Sequence, residues 1–147
     1  MTKHVLLVED NASDEKLALL AFKKASIACE IAVARDGAEA LDYLFGTGKH
    51  VGRAPAAEPD LVLLDLKLPR ISGLDVLRQI RAAPETRMLP VVVLTASGEE
   101  GDVLSCYTLG ANAYLRKAVD FAEFAEAAKT LVAFWLRFNE PPPRLRG

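Results

Sequence analysis

The stretch Leu61-Val62-Leu63-Leu64-Asp65-Leu66-Lys67-Leu68-Pro69 constrains the fold most tightly. Four apolar residues run without a polar break into an aspartate, and a turn follows. An unalternating apolar run of this length suits a strand buried on both faces, the usual condition of a parallel sheet. Asp65 then stands at the carboxyl end of that strand, where open α/β sheets place their ligand crevice. Taken alone, its carboxylate is either a cap on the following turn or a chemical group.

Similar β-rich runs recur at residues 4–8, 30–34, 91–94 and 113–116, with the central run over 60–64. Pro90 precedes the fourth, a position that proline tolerates. The second is the least apolar and belongs nearer a sheet edge. Helical spacing fills the gaps. The first helix covers 13–26, with Ser13 or Asn11 as its cap. The second opens at Asp36-Gly37 and ends at Gly46, and the third follows Ser72-Gly73 to Ala83. The fourth covers 99–109, closed by Gly110, and the last runs from Asp120 to Phe138. Its core stripe is Phe121, Phe124, Ala128, Leu131 and Trp135. Strand-helix alternation predicts crossover units and a parallel sheet covered on both sides. The expected fold is α/β, a flavodoxin-like (βα)5 doubly wound sheet in strand order 2-1-3-4-5. The glycine- and proline-rich loop over 46–59 is long, as functional or mobile loops often are.

A chain of 147 residues matches one domain with its own core. The net charge is -2 with no basic block, which argues against nucleic acid as a partner. The two cysteines, Cys29 and Cys106, make no disulfide scaffold, so a reducing cytoplasm is expected. No basic-then-apolar leader is present, and no apolar run approaches the roughly 20 residues of a membrane span.

The expected strand ends deliver Glu9 and Asp10, Asp65, Thr95 and Lys117. With strands one and three adjacent, three carboxylates share one crevice and repel one another unless a cation joins them. Hard oxygen ligands that retain water fit Mg²⁺ better than a soft metal. The two histidines, His4 and His50, form no zinc-like cluster. By themselves Thr95 reads as a helix cap and Lys117 as a solvated lysine. At a common address, a hydroxyl and an ammonium can bind the oxygens of an incoming phosphoryl group.

This set resembles the receiver domain of two-component response regulators. The matching residues are Glu9-Asp10, Asp65 before Leu68-Pro69 and Gly73, Thr95-Ala96, and the run from Gly110 to Lys117. The likeness spans about residues 3–138. It implies that Asp65 accepts a phosphoryl group from a phosphohistidine of a sensor histidine kinase. Glu9, Asp10, Asp65 and the backbone carbonyl of Lys67 would hold Mg²⁺. Thr95 and Lys117 would bind the phosphoryl oxygens, and Tyr114 would be the aromatic switch. Such a protein is not a turnover enzyme: it labels itself, and the acyl phosphate slowly hydrolyses. One departure is plain. Receivers usually place a cis proline after the lysine, and here Ala118 follows, where a cis bond costs about 2.5–4 kcal/mol. A trans bond with an altered loop, or a strained cis bond, is expected.

Residues 1–138 read as the receiver, and 139–147 as a short tail with no output domain. Output is then a protein contact or a phosphorelay. The apolar end of the last helix suggests a homodimer through the fourth helix, fifth strand and fifth helix, with Phe134, Leu136 and Phe138 in contact. The long loop and the Phe134-Trp135-Leu136 ending also resemble regulators paired with bacterial phytochromes. Two rivals share parts of the pattern. A flavodoxin-like electron carrier needs a phosphate loop that Glu9-Asp10 would repel. A haloacid dehalogenase phosphatase needs an acid where Lys67 stands. A receiver-like interaction module that is never phosphorylated is the remaining alternative.

Overall fold

The computed structural model describes residues 2–48, 58–117 and 120–143. Strands β1 (Lys3–Val8), β2 (Cys29–Ala34), β3 (Leu61–Leu64), β4 (Val91–Thr95) and β5 (Ala113–Arg116) alternate with five helices. These are α1 (Ala12–Lys24), α2 (Gly37–Phe45), α3 (Gly73–Ala82), α4 (Glu100–Thr108) and α5 (Phe121–Ala133). All strand pairs are parallel, and the order is β2-β1-β3-β4-β5, as the alternation predicts. The least apolar strand, β2, does lie at an edge.

The unbroken apolar runs are explained by what covers each face. Leu6, Val8, Val62, Leu64, Val91 and Val93 pack with Leu41 and Leu44 of α2 and with Val76, Leu77 and Ile80 of α3. Their neighbours in sequence, Val5, Leu7, Leu61, Leu63 and Val92, turn the other way onto Ala18 and Phe22 of α1 and Val132. Successive strand residues therefore enter two separate cores, and no position in β3 can be polar. The helices start where short polar side chains can take up free backbone N–H groups. Asn11, Asp36, Ser72 and Asp120 accept from the backbone N–H of Asp14, Glu39, Asp75 and Ala122. Gly46 closes α2 with φ of 67°, a left-handed turn that glycine adopts without penalty.

The end of the chain departs from expectation. The last helix is α-helical only to Ala133, and a π-helical turn, Phe134–Phe138, follows. The buried stripe is Phe124, Ala128, Val132 and Leu136. Phe121 is exposed, with the Lys24 ammonium 5.6 Å from its ring centre, and Leu131 and Trp135 are only half-buried. Leu136 is therefore a core residue packed with β1 and β3, not a surface contact for a second copy, whereas Phe134 and Phe138 are exposed. The i, i+4 spacing from Phe124 carries this stripe onto the sheet. Of the expected stripe, Phe124 and Ala128 are buried, Leu131 and Trp135 pack at the margin of the core, and Phe121 falls outside it. The long loop expected over 46–59 lies mostly outside the described residues. Among the described residues no helix is long and apolar enough to cross a membrane.

Candidate functional site

Parallel pairing sets the site. Asp65 N–H donates to the Val8 carbonyl at 3.1 Å, so the ends of β1 and β3 are in step. Glu9 and Asp10 follow β1, and Asp65 follows β3. One carboxylate oxygen from each of Glu9, Asp10 and Asp65 lies within 4.8 Å of the others. Lys117, just past β5, is tied by its backbone N–H to the Thr95 carbonyl at 2.7 Å. Its ammonium reaches back across the crevice, donating to Glu9 Oε1 at 2.6 Å, Asp14 Oδ2 at 2.9 Å and Asp65 Oδ2 at 3.3 Å.

These carboxylates cap their loops and do more: Glu9 Oε2 accepts the Asn11 N–H at 3.2 Å, while its Oε1 faces Lys117. Asp65 does accept the Leu66 N–H through Oδ1 at 2.7 Å, but its Oδ2 faces Lys117. Glu9 is 2% exposed. Burial pushes its carboxyl up to about 7, against the opposing pull of the Lys117 hydrogen bond. Burial also works against the Lys117 charge, but hydrogen bonds to Glu9 and Asp14 outweigh it and hold the ammonium above the ordinary lysine range. Glu9, Asp14 and Asp65 thus share one ammonium, and Asp10 lies beside Glu9 and Asp65, so the acids outnumber the cation they contact and offer ligands to a second. At the roughly 2.1 Å ligand distance of a small hard ion, opposite ligands stand about 4.2 Å apart. The spread of Glu9, Asp10 and Asp65, within 4.8 Å, is of the size that such an ion would span. Lys67 lies in the turn beyond Asp65 and lines the same crevice.

Thr95 ends β4 beside this crevice, 2% exposed, with its Oγ1 accepting the Ser97 N–H at 3.5 Å. Tyr114 is half-buried, and its hydroxyl donates to the Ser97 carbonyl at 2.7 Å. The loop after Thr95 is therefore held from β5. The Lys117–Ala118 bond lies outside the described residues. Asp14 escaped the sequence reading. Its signal is a carboxylate in the first turn of the helix that starts at the end of β1.

Gly73 is fixed by the site as well. A Cβ there would lie 2.2 Å from the Asp65 carbonyl oxygen and 2.7 Å from Leu66 Cα. Neither backbone atom can yield without moving Asp65. Gly73→Ala is expected to cost about 1–3 kcal/mol, the usual range for overpacking. A urea titration reads that loss, and an unchanged midpoint would mean that α3 shifts freely.

Residues 5–129 match the response regulator receiver domain family. The chain belongs to this family. The receiver is 37% identical to response regulator Rcp1 of Synechocystis sp., over 91% of this chain and 89% of that protein. Among solved structures it superposes on the phosphorylated cyanobacterial phytochrome response regulator RcpA with a TM-score of 0.90 and 35% identity, covering 97% of this chain and all of that one. The bacteriophytochrome response regulator RtBRR is 48% identical, with a TM-score of 0.77 over 97% of this chain and 86% of that one.

Proposed function

We propose that this receiver takes a phosphoryl group onto Asp65 from a phosphohistidine of a sensor histidine kinase. The observation that carries the reading is Asp65 Oδ2, next to a lysine and two further acids at one sheet end. In the transfer an O–P bond forms at Asp65 and the donor's N–P bond breaks, leaving a neutral imidazole. Lys117 neutralises charge on the phosphoryl oxygens, and Thr95 donates its hydroxyl to one of them after its loop turns. Glu9, Asp10, Asp65 and the Lys67 carbonyl hold Mg²⁺. That ion, when bound, screens the acids from the incoming phosphate. Support comes from Rcp1, which has been solved with Mn²⁺ bound, and from a 26% identical receiver of Pseudomonas aeruginosa solved with magnesium in its active-site cleft. Tyr114 follows Thr95 through its bond to Ser97, as the aromatic switch.

The partner kinase is a bacterial phytochrome, in line with what RcpA and RtBRR are named for. The receiver acts in the cytoplasm, through protein contacts or a relay, and it is consumed and reset rather than turned over as an enzyme. It pairs with a second copy through α4, β5 and α5. Supporting this, β5 is an edge strand of the sheet, and Phe134 and Phe138 are exposed in the turn that follows α5.

Incubation with Mg²⁺ and acetyl phosphate should add the mass of one phosphoryl group, and Asp65→Asn should add none. Equal labelling of Asp65→Asn would overturn the assignment. No labelling of the parent protein by acetyl phosphate or by a histidine kinase would leave an unphosphorylated interaction module.

A further inference from the structure

We propose that Asp14 is a positioning residue that holds Lys117 in its resting place and must release it when Asp65 is phosphorylated. This rests on the role just given to Asp65. An ammonium has three donors, and all three of Lys117 are taken, by Glu9, Asp14 and Asp65. A phosphoryl group on Asp65 brings oxygens that require a cation, so Lys117 has to give up a partner. Glu9 is the costlier partner to release, because its side chain is 2% exposed and only the bound metal would replace the bond. Asp65 is the acceptor itself. Asp14 is the partner that can let go. Its side chain is 36% exposed, it stands on the first turn of α1, and water replaces the lost bond at little cost. Asp14 also lies outside the group of acids that could hold the metal. Its ionic bond to Lys117 therefore opposes labelling without serving the metal, and its charge repels the incoming phosphate in the same sense.

Replacing Asp14 by Asn keeps the shape and removes the charge. Labelling of Asp14→Asn by acetyl phosphate at saturating Mg²⁺ is expected to run about threefold to fivefold faster than in the parent, the scale of an ion pair with one partner near the surface. The advantage should shrink at high salt, which screens the solvent-facing Asp14. Asp14→Glu restores the charge and should return the rate towards the parent's. A purely structural Asp14 would move the unfolding midpoint and leave the rate and its salt dependence alone, which would overturn the proposal. Slower labelling of Asp14→Asn would overturn it too. A parent protein that does not label at all would instead sink the role given to Asp65.

Discussion

Lys117→Met should destabilise the metal-free protein by about 3–5 kcal/mol, the cost of removing one partner from a buried charge cluster. A domain of this size has only about 5–15 kcal/mol in total. The side chain of Lys117 is 11% exposed and serves three carboxylates, so its loss leaves Glu9 facing Asp65 with no cation between them. The deficit should depend on pH in a definite sense. Glu9 is raised in the fold from 4.5 to about 7, so its neutral form is the one that folding favours. Its contribution is complete below pH 4.5 and is lost as pH rises through about 7. Without Lys117 that pKa rises further. The variant should therefore approach the parent near pH 5 and fall furthest behind it at pH 8. Mg²⁺ should return part of the loss at pH 8, because it supplies the missing positive charge and binds only the folded chain. Phosphoryl transfer should not recover with it. Urea unfolding at both pH values, with a chelator and then with Mg²⁺, reads all of this. Equal midpoints for variant and parent at pH 8 would show that Lys117 does not hold the acids together.

The same residues show how far the sequence carries. Leu61 to Leu64 could be read as a doubly buried strand because a parallel sheet under helices leaves no face for a polar residue. Strand order followed from alternation, since crossovers of one hand have few solutions. The strand-end acids followed from the order, and Asp65, Glu9 and Lys117 meet as that reading requires. What stayed hidden depends on side-chain reach. Lys117 was legible as a residue near Asp65, but its ammonium also reaches past the strand ends to a carboxylate on the first turn of α1. Nothing in local spacing marks that pair. The last helix was found with its Asp120 cap and with Phe124 and Ala128 in the core, but the rest of its buried face was misplaced for a different reason. Residues 121–138 are so rich in apolar side chains that two stripes, offset by one position, satisfy the helical period. Periodicity alone could not choose the one continuing through Val132 to Leu136. The π turn at the end was equally unmarked: it shows in the Asn139 N–H donating to the Phe134 carbonyl at 2.7 Å, which no sequence pattern announces.

That offset decides how the homodimer must be tested. Leu136 is 5% exposed and packs with Val5, Leu7, Leu61 and Leu63 under the sheet. Leu136→Asp removes a buried leucine, worth about 2–5 kcal/mol as a truncation. It also places a carboxylate among apolar side chains, so the group must take up a proton or draw in water, at a further cost of several kcal/mol. Together these approach the whole stability of the domain, and Leu136→Asp is expected to be largely unfolded at neutral pH, by far-UV circular dichroism. Protonation of the new carboxyl should bring back part of the structure on mild acidification. A well-folded Leu136→Asp at pH 7 would mean that the π turn detaches from the sheet. Phe138 is 71% exposed, so Phe138→Asp should unfold with the parent midpoint and change only association. Loss of the dimer mass in solution by Phe138→Asp, with the fold intact, would place the second copy on this end of the molecule. A Phe138→Asp protein that associates like its parent would remove the π turn from the interface.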